Sequence, residues 1–277
     1  TQIRELDESV QKVEQLFGKI RETETVPLED LREEVLPTVQ KITGGSGLSG
    51  LLAALQEKDD FTYRHNLSVS LLSTMLGKWL GLPEEDIARL SVAAMLHDIG
   101  KVRLPAELLK KTDLTDEERA ELQKHTLFGY EMLKNTDGIS EDQALVALQH
   151  HERMDGSGYP NGLKGEQIGL FSRIVMVADI FHNKSSRQAG GGDSPFYAVL
   201  QHLDELAFGK LDPGPVRVFI HKTMQFLLGH EVTLRDGRIG KIVLIHPHDP
   251  IRPLVQVGNE FIDLSKDKTN GIEKITE

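Results

Sequence analysis

The sequence predicts a mostly α-helical bundle, preceded by an N-terminal helical segment and followed by a small antiparallel β module. Apolar residues recur every three or four positions over most of 51–228, which is the period of a helix with a buried face. After His230 they alternate instead, on either side of Asp236-Gly237, a typical hairpin turn. We therefore expect a helical segment and linker at 1–50, a helical domain at 51–228 and a β module at 229–277.

The N-terminal segment is predicted to hold two helices and a flexible joint. The first helix has an apolar stripe, made of Ile3, Leu6, Val10, Val13, Phe17 and Ile20. Such a stripe either packs on the protein's own domain or forms the seam of a homodimer, and the sequence leaves both open. A second helix is expected from about Pro27 to Ile42, and the glycine-rich residues 44–50 form the joint.

Start and stop residues divide the rest of the chain into short elements. Pro83 before two glutamates and Ser140 before two acids are typical of the first turn of a helix. The expected helices lie at about 67–80, 84–96, 115–133, 140–151, from 174 onward and at 213–228, with a glycine-rich break at 189–193. The expected strands lie at about 232–234, 242–244, 254–257 and 261–262.

Composition excludes several kinds of site and partner. The chain of 277 residues has no cysteine, which excludes disulfides and thiolate metal sites. Its formal net charge of −11 argues against binding to DNA or anionic membranes, which requires a basic footprint. No apolar run approaches the roughly 20 residues that span a bilayer. The N-terminus is too acidic for a signal peptide, so we expect a cytoplasmic protein without a membrane span.

Two pairs of adjacent residues point to metal binding. His97-Asp98 follows the helix predicted to be buried, with Gly100 expected as its C-terminal cap, and His150-His151 ends another helix. The C-terminal end of a helix carries partial negative charge, which favours a cation. Neighbouring residues on a helix point about 100° apart. Each pair can therefore address two metal ions, or two faces of one ion, where helix ends converge.

Two further residues are candidates for the same site. His125 is predicted in the middle of a helix, and Gly129 one turn later leaves room for another group to approach closely. Asp179 follows a run of apolar residues. A carboxylate inside such a run needs a partner, because burying an unpaired charge costs several kcal/mol.

Four strings of residues carry a family resemblance. They are His97-Asp98-Ile99-Gly100-Lys101, the run from His150 to Pro160, Gly162-Leu163-Lys164-Gly165 and Ser172-Arg173-Ile174. Together they are similar to the HD-GYP family of bacterial cyclic-dinucleotide phosphodiesterases, within the HD metallohydrolase superfamily. The resemblance covers about residues 51–228 and implies an HD-type helical bundle. The β module, with Asp236-Gly237-Arg238-Ile239-Gly240, also looks like an extension that some members carry.

The resemblance implies a centre for two divalent metal ions. Its ligands would be His65, His97, Asp98, His125, His150, His151 and Asp179. One ion would be held by His65, His97, Asp98 and Asp179, and the other by His125, His150 and His151, with Asp98 bridging. Imidazoles and carboxylates without sulfur suit octahedral iron or manganese better than tetrahedral structural zinc.

The activity implied by the resemblance is hydrolysis of cyclic di-GMP to the linear dinucleotide pGpG, with onward hydrolysis to GMP left open. Two metal ions would activate a water for in-line attack, and Lys101 would neutralise phosphate charge. Contacts to the substrate are expected from Lys101, Gly158, Tyr159 and Arg187. The loop of Gly158, Tyr159 and Pro160 is also expected to bind GGDEF-domain proteins, as the family implies.

The chain departs from the family pattern at two places. Phe61 stands where some members have a glutamate that binds a third metal, so we expect two ions. After Asp179 the substrate-side arginine of the family falls on Gln188, and Arg187 comes one position early. A shift of one residue turns a helical side chain by about 100°. His182 stands where the family has an acid; it is either a further ligand or a surface residue, and we expect it at the surface.

Two other functions stay open at this stage. A regulatory protein of low activity would keep the metals and the fold but respond to nucleotide or partner through the 155–165 loop and the N-terminal helix. A phosphohydrolase for another nucleotide would share the metal core and differ only in its pocket. The remaining histidines are expected to be structural, namely His202, His221, His230, His246 and His248.

Overall fold

A computed structural model describes residues 2–44, 61–188 and 195–276 of the chain, with side chains for 4–44, 62–186 and 196–276. The predicted joint beyond Gly44 and the glycine-rich break at 189–193 lie outside the described residues. So do the side chains of Phe61 and Arg187. Within the described part, the predicted fold class is confirmed, because helices are followed by a small antiparallel sheet.

The described helices follow the predicted order, but the single helix expected from about Pro27 to Ile42 is divided in two at Val35. The N-terminal ones are α1 (Gln2–Thr23), α2 (Leu28–Glu34) and α3 (Leu36–Gly44). The central ones are α4 (Phe61–Trp79), α5 (Glu84–Met95), α6 (Ala106–Lys110), α7 (Asp116–Gln123), α8 (His125–Lys134), α9 (Glu141–Gln149), α10 (Leu170–Gln188), α11 (Pro195–Leu206) and α12 (Pro213–Gln225). Short 3-10 turns occupy Ile99–Arg103 and Gly165–Gln167.

The helix predicted over 115–133 is two helices. Its start is as expected, because Thr115 and Glu118 form a capping box with side chain to backbone distances of 3.2 and 3.1 Å. At Lys124 the backbone N–H donates to the Glu121 carbonyl at 3.1 Å, a tighter turn than that of an α-helix. The chain bends there, and His125 is the first residue of α8 rather than a residue in the middle of a helix.

The N-terminal helices pack on the central domain. Both α1 and α3 contact α4. From Leu6 to Ile20, the apolar stripe of α1 is buried in the same core as the central helices, with Leu6 and Val13 fully buried. Phe17 meets the ring of Tyr63 edge-on at a centroid distance of 5.8 Å. Of the two alternatives for this stripe, packing within its own chain is therefore what the described residues show.

α4 is the helix around which the site is built. It contacts α1, α3, α5, α10 and α12. Besides buried leucines, α4 carries hydroxyl groups that form hydrogen bonds across its interface with α5. Ser70 Oγ donates to the Ser91 carbonyl at 2.8 Å, and Thr74 Oγ1 lies 2.6 Å from Ser91 Oγ. This packing places the N-terminal half of α4 between the end of α5 and the middle of α10.

The C-terminal strands form one antiparallel sheet. They are β1 (Glu231–Leu234), β2 (Ile239–Leu244), β3 (Leu254–Val257), β4 (Glu260–Asp263) and β5 (Ile272–Thr276), in the order β4-β3-β2-β1-β5. Gly237 (φ 86°) and Gly258 (φ 59°) occupy the predicted hairpin turns with positive φ. Val232 and Val255 face the common core. Among the described helices, none has the length and apolarity to cross a bilayer.

Candidate metal centre

The seven residues predicted as ligands come together from five segments of the chain. They are His65 on α4, His97 and Asp98 in the turn after α5, His125 at the start of α8, His150 and His151 after α9, and Asp179 on α10. Six of them are buried, with at most 6 % of the residue surface exposed, and His151 is partly buried. The convergence of helix ends that the sequence predicted is therefore present.

Asp98 lies between two groups of histidines. Its Oδ1 is 3.4 Å from Nε2 of His125 and 3.3 Å from Nε2 of His150. Its Oδ2 is 3.5 Å from Nε2 of His97 and 3.9 Å from Nε2 of His65. Two sets of donor atoms are each compact enough to surround a metal ion, and Asp98 belongs to both.

Asp179 completes one side of this arrangement. Its Oδ1 lies 3.0 Å from Nε2 of His65 and 3.6 Å from Nε2 of His97. The same oxygen accepts a hydrogen bond from Asn183 Nδ2 at 3.0 Å. Asp179 therefore lies with His65 and His97 on one side of Asp98, and the other three histidines lie on the opposite side.

Backbone carbonyls orient three of the imidazole rings. Nδ1 of His97 lies 2.6 Å from a carbonyl oxygen of the preceding turn, that of His125 2.6 Å and that of His150 2.9 Å. A carbonyl only accepts, so each Nδ1 carries the proton and each Nε2 presents a lone pair toward Asp98. Metal-binding histidines commonly take this tautomer, because the ring nitrogen that does not bind the metal donates to a carbonyl or carboxylate oxygen.

The donor set fits a divalent cation. Nε2 of His97 and Oδ1 of Asp98 are buried and have no hydrogen-bond partner among the described residues. Both are acceptors in the tautomer described above, and buried acceptors without partners are costly. A cation between the imidazole and carboxylate groups would satisfy these atoms together.

The two carboxylates stay ionised at neutral pH. Burial opposes the charge on Asp98, but Lys101 and His97 outweigh it and hold the pKa of Asp98 well below its usual value. Burial likewise opposes the charge on Asp179, and its contacts with His65 and His97 lower its pKa well below the usual range. Lys101 Nζ lies 2.7 Å from Asp98 Oδ2. Burial works against its ammonium, yet Asp98 raises the pKa of Lys101, so the predicted phosphate-binding lysine is in the site and charged.

The histidines differ in their protonation. Burial lowers the pKa of His150, and burial together with His150 lowers the pKa of His151 much further. Neutral imidazole is the form that binds metal. Burial also opposes a charge on His97, but Asp98 outweighs it and raises the pKa of His97.

Gly100 is required for close packing, and the prediction that it caps a helix is wrong. α5 ends at Met95, and Gly100 lies in the following 3-10 turn without positive φ. A Cβ on Gly100 would overlap the His125 carbonyl oxygen and lie 2.5 Å from the Gly129 nitrogen. Two glycines therefore let the turn that carries Asp98 rest directly on α8, as the close approach predicted at Gly129 required.

Glu152 organises the glycine-rich loop and was not singled out from the sequence. Its carboxylate is fully buried and accepts the backbone N–H groups of Asn161 at 2.7 Å and Leu163 at 2.9 Å. Gly158 packs against the backbone of residues 151–153, where a Cβ would lie 2.5 Å from the Arg153 nitrogen. Its position directly after the His150-His151 pair is the available sequence clue, because an acid next to predicted metal ligands lies close to the same site.

Tyr159 stacks on His151, one of the predicted ligands. Its ring lies nearly parallel to that of His151, at a centroid distance of 4.7 Å and an angle of 15°. Its backbone N–H donates to the His151 carbonyl at 3.2 Å. Burial is the main cause of a raised pKa for the phenol of Tyr159, so the hydroxyl remains a hydrogen-bond donor at neutral pH. The predicted substrate loop is thus in contact with one predicted ligand.

His182 lies inside the protein, and the prediction of a surface position is wrong. Only 2 % of its surface is exposed, and its Nδ1 lies 2.8 Å from Nδ1 of His65. Burial, with His65 adding to it, lowers the pKa of His182 to about 3, so this ring is neutral. A metal ion bound at Nε2 of His65 would place the proton of His65 on Nδ1, where His182 can accept it. The spacing of three residues after Asp179 places both on one face of α10, which explains the burial.

Replacing His182 with alanine should weaken metal binding without removing a proposed ligand. Loss of the acceptor for His65 Nδ1–H should lower affinity for manganese by roughly 10- to 100-fold, the usual effect of losing such a partner. Competition with a chromogenic chelator measures this. His182→Asn keeps an acceptor near the same position and should recover most of the affinity. His202→Ala, outside the cluster, is the matched control. Equal affinities of His182→Ala and the control would contradict the role.

The other predicted residues lie apart from the centre. His202, His221, His230, His246 and His248 belong to neither group of donor atoms found among the described residues. His246 Nε2 instead pairs with Asp263 at 2.9 Å within the β module. Arg187 is on α10, but its side chain is outside the described residues, so its predicted substrate contact remains a prediction.

The helical bundle, with its buried cluster of histidines and aspartates, has the architecture of a protein that binds metal ions. The sequence model of the HD domain matches residues 51–212, more than half of the chain. The chain therefore belongs to the HD domain family. Its predicted resemblance to the HD-GYP branch of that family is confirmed by the following relatives.

Three curated proteins illustrate the similarity. The cyclic di-GMP phosphodiesterase PA4108 of Pseudomonas aeruginosa is 33% identical over 212 residues, covering 74% of this chain and 50% of that protein. The response regulator RpfG of Xanthomonas campestris, also a cyclic di-GMP phosphodiesterase, is 43% identical, covering 48% and 36%. The 3'3'-cGAMP-specific phosphodiesterase 1 of Vibrio cholerae is 34% identical, covering 61% and 39%. The chain spans half or less of the length of these relatives.

A solved structure agrees on the fold. Bd1817, described as an HDG"Y"P protein from Bdellovibrio bacteriovorus, superposes with a TM-score of 0.61 over 78% of this chain and 69% of that chain. The sequences are 19% identical, so the likeness concerns the fold alone.

Proposed function

We propose that this chain is a metal-dependent phosphodiesterase that hydrolyses cyclic di-GMP to pGpG. The observation that carries the proposal is the position of Asp98. One buried carboxylate lies between two groups of histidines, with its two oxygens 3.3 to 3.9 Å from four imidazole nitrogens. A shared carboxylate of this kind is what a two-metal hydrolase needs, because it keeps both ions at a fixed separation.

The residues divide into two proposed ligand sets. His65, His97, Asp98 and Asp179 would hold one ion, and Asp98, His125, His150 and His151 the other. We propose iron or manganese, because the set has nitrogen and oxygen donors and no sulfur. When bound, such a pair of ions supplies a water of lowered pKa and a clamp for the oxygens of a phosphodiester.

The remaining chemistry belongs to the chain itself. Lys101, paired with Asp98 at 2.7 Å, carries a positive charge at the place where a phosphate would approach. Tyr159 presents a phenol beside His151, suited to hydrogen bonding or stacking with a guanine. Arg187 would add a further contact. Burial of the centre excludes bulk water and strengthens each of these interactions.

Cyclic di-GMP is the proposed substrate, because two of the relatives above carry that activity in their names. A second candidate, 3'3'-cGAMP, is supported by the relative from Vibrio cholerae. The loop of Gly158, Tyr159 and Pro160, partly exposed, is also proposed to contact a GGDEF-domain protein, following the family resemblance.

Metal dependence and product identity test the proposal in one experiment. The protein is stripped with a chelator, reloaded with manganese or iron(II), and incubated with either cyclic dinucleotide before the products are separated by chromatography. We expect about two metal ions per chain, as two ligand sets require, and pGpG only from the metal-loaded protein. The variant His248→Ala, with an exposed histidine outside the cluster, should behave like the unchanged chain. Tight nucleotide binding without any product would favour the regulatory alternative.

A further inference from the structure

A small cavity of about 150 Å³ opens onto the proposed metal centre. Its wall includes His65, Asp98 and Lys101 from the centre itself. It also includes Phe17 and Arg21 of α1, an element that lies before the matched HD domain at 51–212. The N-terminal helix therefore forms part of the entrance to a site that the family segment would otherwise form alone.

Packing holds this part of α1 in place. Phe17 is buried, and its ring meets Tyr63 of α4 two residues before His65. Arg21 follows Phe17 by four residues and so lies on the same face of the helix. α1 also contacts the 3-10 turn that carries Lys101. The backbone position of Arg21 is thus set relative to the centre, while its long side chain is exposed at the cavity mouth.

Arg21 differs from the neighbouring cations in having no anionic partner among the residues that the structure describes. Lys101 is paired with Asp98 at 2.7 Å, and Arg103 with Glu24 at 3.4 Å and Glu131 at 3.1 Å. Arg21 forms no ion pair or hydrogen bond with any residue in the described part of the chain. Its guanidinium is therefore free to bind an anion that enters the cavity.

We propose that Arg21 binds the second phosphate of the cyclic dinucleotide, the one that is not being cleaved. This inference rests on the proposed function. A cyclic dinucleotide carries two phosphodiesters, and the metal centre with Lys101 would take one of them. The cavity is smaller than the roughly 300 Å³ of common ligand pockets, so most of the substrate must extend to the mouth, where Arg21 lies. The planar guanidinium matches two phosphate oxygens, which a lysine there would not.

The test compares two arginines of the same helix. Arg21→Ala should raise KM for cyclic di-GMP about tenfold with kcat little changed, as expected for loss of one solvent-exposed phosphate contact. The difference in KM between Arg21→Ala and the parent should shrink at high salt, because exposed charges are screened. The small substrate bis(4-nitrophenyl) phosphate has a single phosphate, and its KM should change by less than about twofold, since it cannot use the second contact.

Arg4→Ala is the matched control. Arg4 is an exposed residue of α1 that pairs with Glu8 at 3.0 Å and borders no part of this cavity, so its removal changes the net charge equally. An unchanged KM for cyclic di-GMP in Arg21→Ala, with turnover intact in the parent, would overturn the inference and leave the proposed function standing. If the parent protein shows no turnover, the proposed function fails. Affinities for cyclic di-GMP, measured by calorimetry, then test whether Arg21 contacts the nucleotide. Weaker binding by Arg21→Ala than by Arg4→Ala then supports the contact, and equal or absent binding overturns it.

Discussion

Replacing Asp98 with asparagine is expected to abolish phosphodiesterase activity and to reduce metal content. The amide keeps the shape of the side chain but removes the charge that both proposed ligand sets share. Polarisation of a phosphoryl group by bound ions contributes several kcal/mol, so turnover should fall by at least about a thousandfold. Steady-state kinetics with cyclic di-GMP, together with metal analysis of the same sample, measures both effects.

The variant Asp113→Asn controls for the loss of a carboxylate elsewhere, because Asp113 is exposed and outside the cluster. It should retain parental activity and metal content. Turnover of Asp98→Asn above about a tenth of the parent, with two ions still bound, would show that Asp98 is not the bridge, because loss of the bridge should cost far more than one factor of ten.

Gly100→Ala is expected to destabilise the whole protein and to distort the centre. The added methyl group would meet backbone atoms of His125 and Gly129. Backbone atoms cannot rotate away, so the 3-10 turn must move off α8. Overpacking of this kind costs about 3 kcal/mol of unfolding free energy. Because the displaced turn carries Asp98 and Lys101 and α8 begins with His125, metal affinity should fall as well.

Gly18→Ala is the matched substitution. Gly18 lies inside α1, and a Cβ there would have no heavy atom within 4 Å. That variant should be stabilised by about 0.5 to 1 kcal/mol, since alanine is favoured over glycine within a helix. Urea denaturation monitored by circular dichroism compares the two. A Gly100→Ala protein as stable as the parent would mean that the turn and α8 are not in contact in solution.

Residue types with unusual local chemistry could be predicted as site residues from the sequence. The adjacent pairs His97-Asp98 and His150-His151 were identified because two imidazoles, or an imidazole and a carboxylate, rarely stand together without a shared ion. Asp179 was identified because a carboxylate in an apolar run needs a partner. His65 stands alone in an ordinary helix and was found only through the family resemblance.

Other residues were missed or misplaced because their roles depend on contacts between segments that are distant in the chain. Glu152 looks like a solvent-exposed acid until the loop folds back and offers it two backbone N–H groups. For His182, the sequence shows no partner that would favour a buried position. The packing of α10 on α4 supplies that partner, His65, at 2.8 Å.

The sequence by itself determined the class of fold, the order of the elements and the chemistry of the proposed ligands. These depend on side-chain type and on periods of two or 3.6 residues, which are local properties. Only the tertiary structure decided that Asp98 lies between the two histidine groups, that Gly100 is needed for contact rather than for a cap, and that α1 places Arg21 at the entrance. Such features arise where helices distant in the chain pack together, and their relative positions depend on the whole core rather than on any one segment.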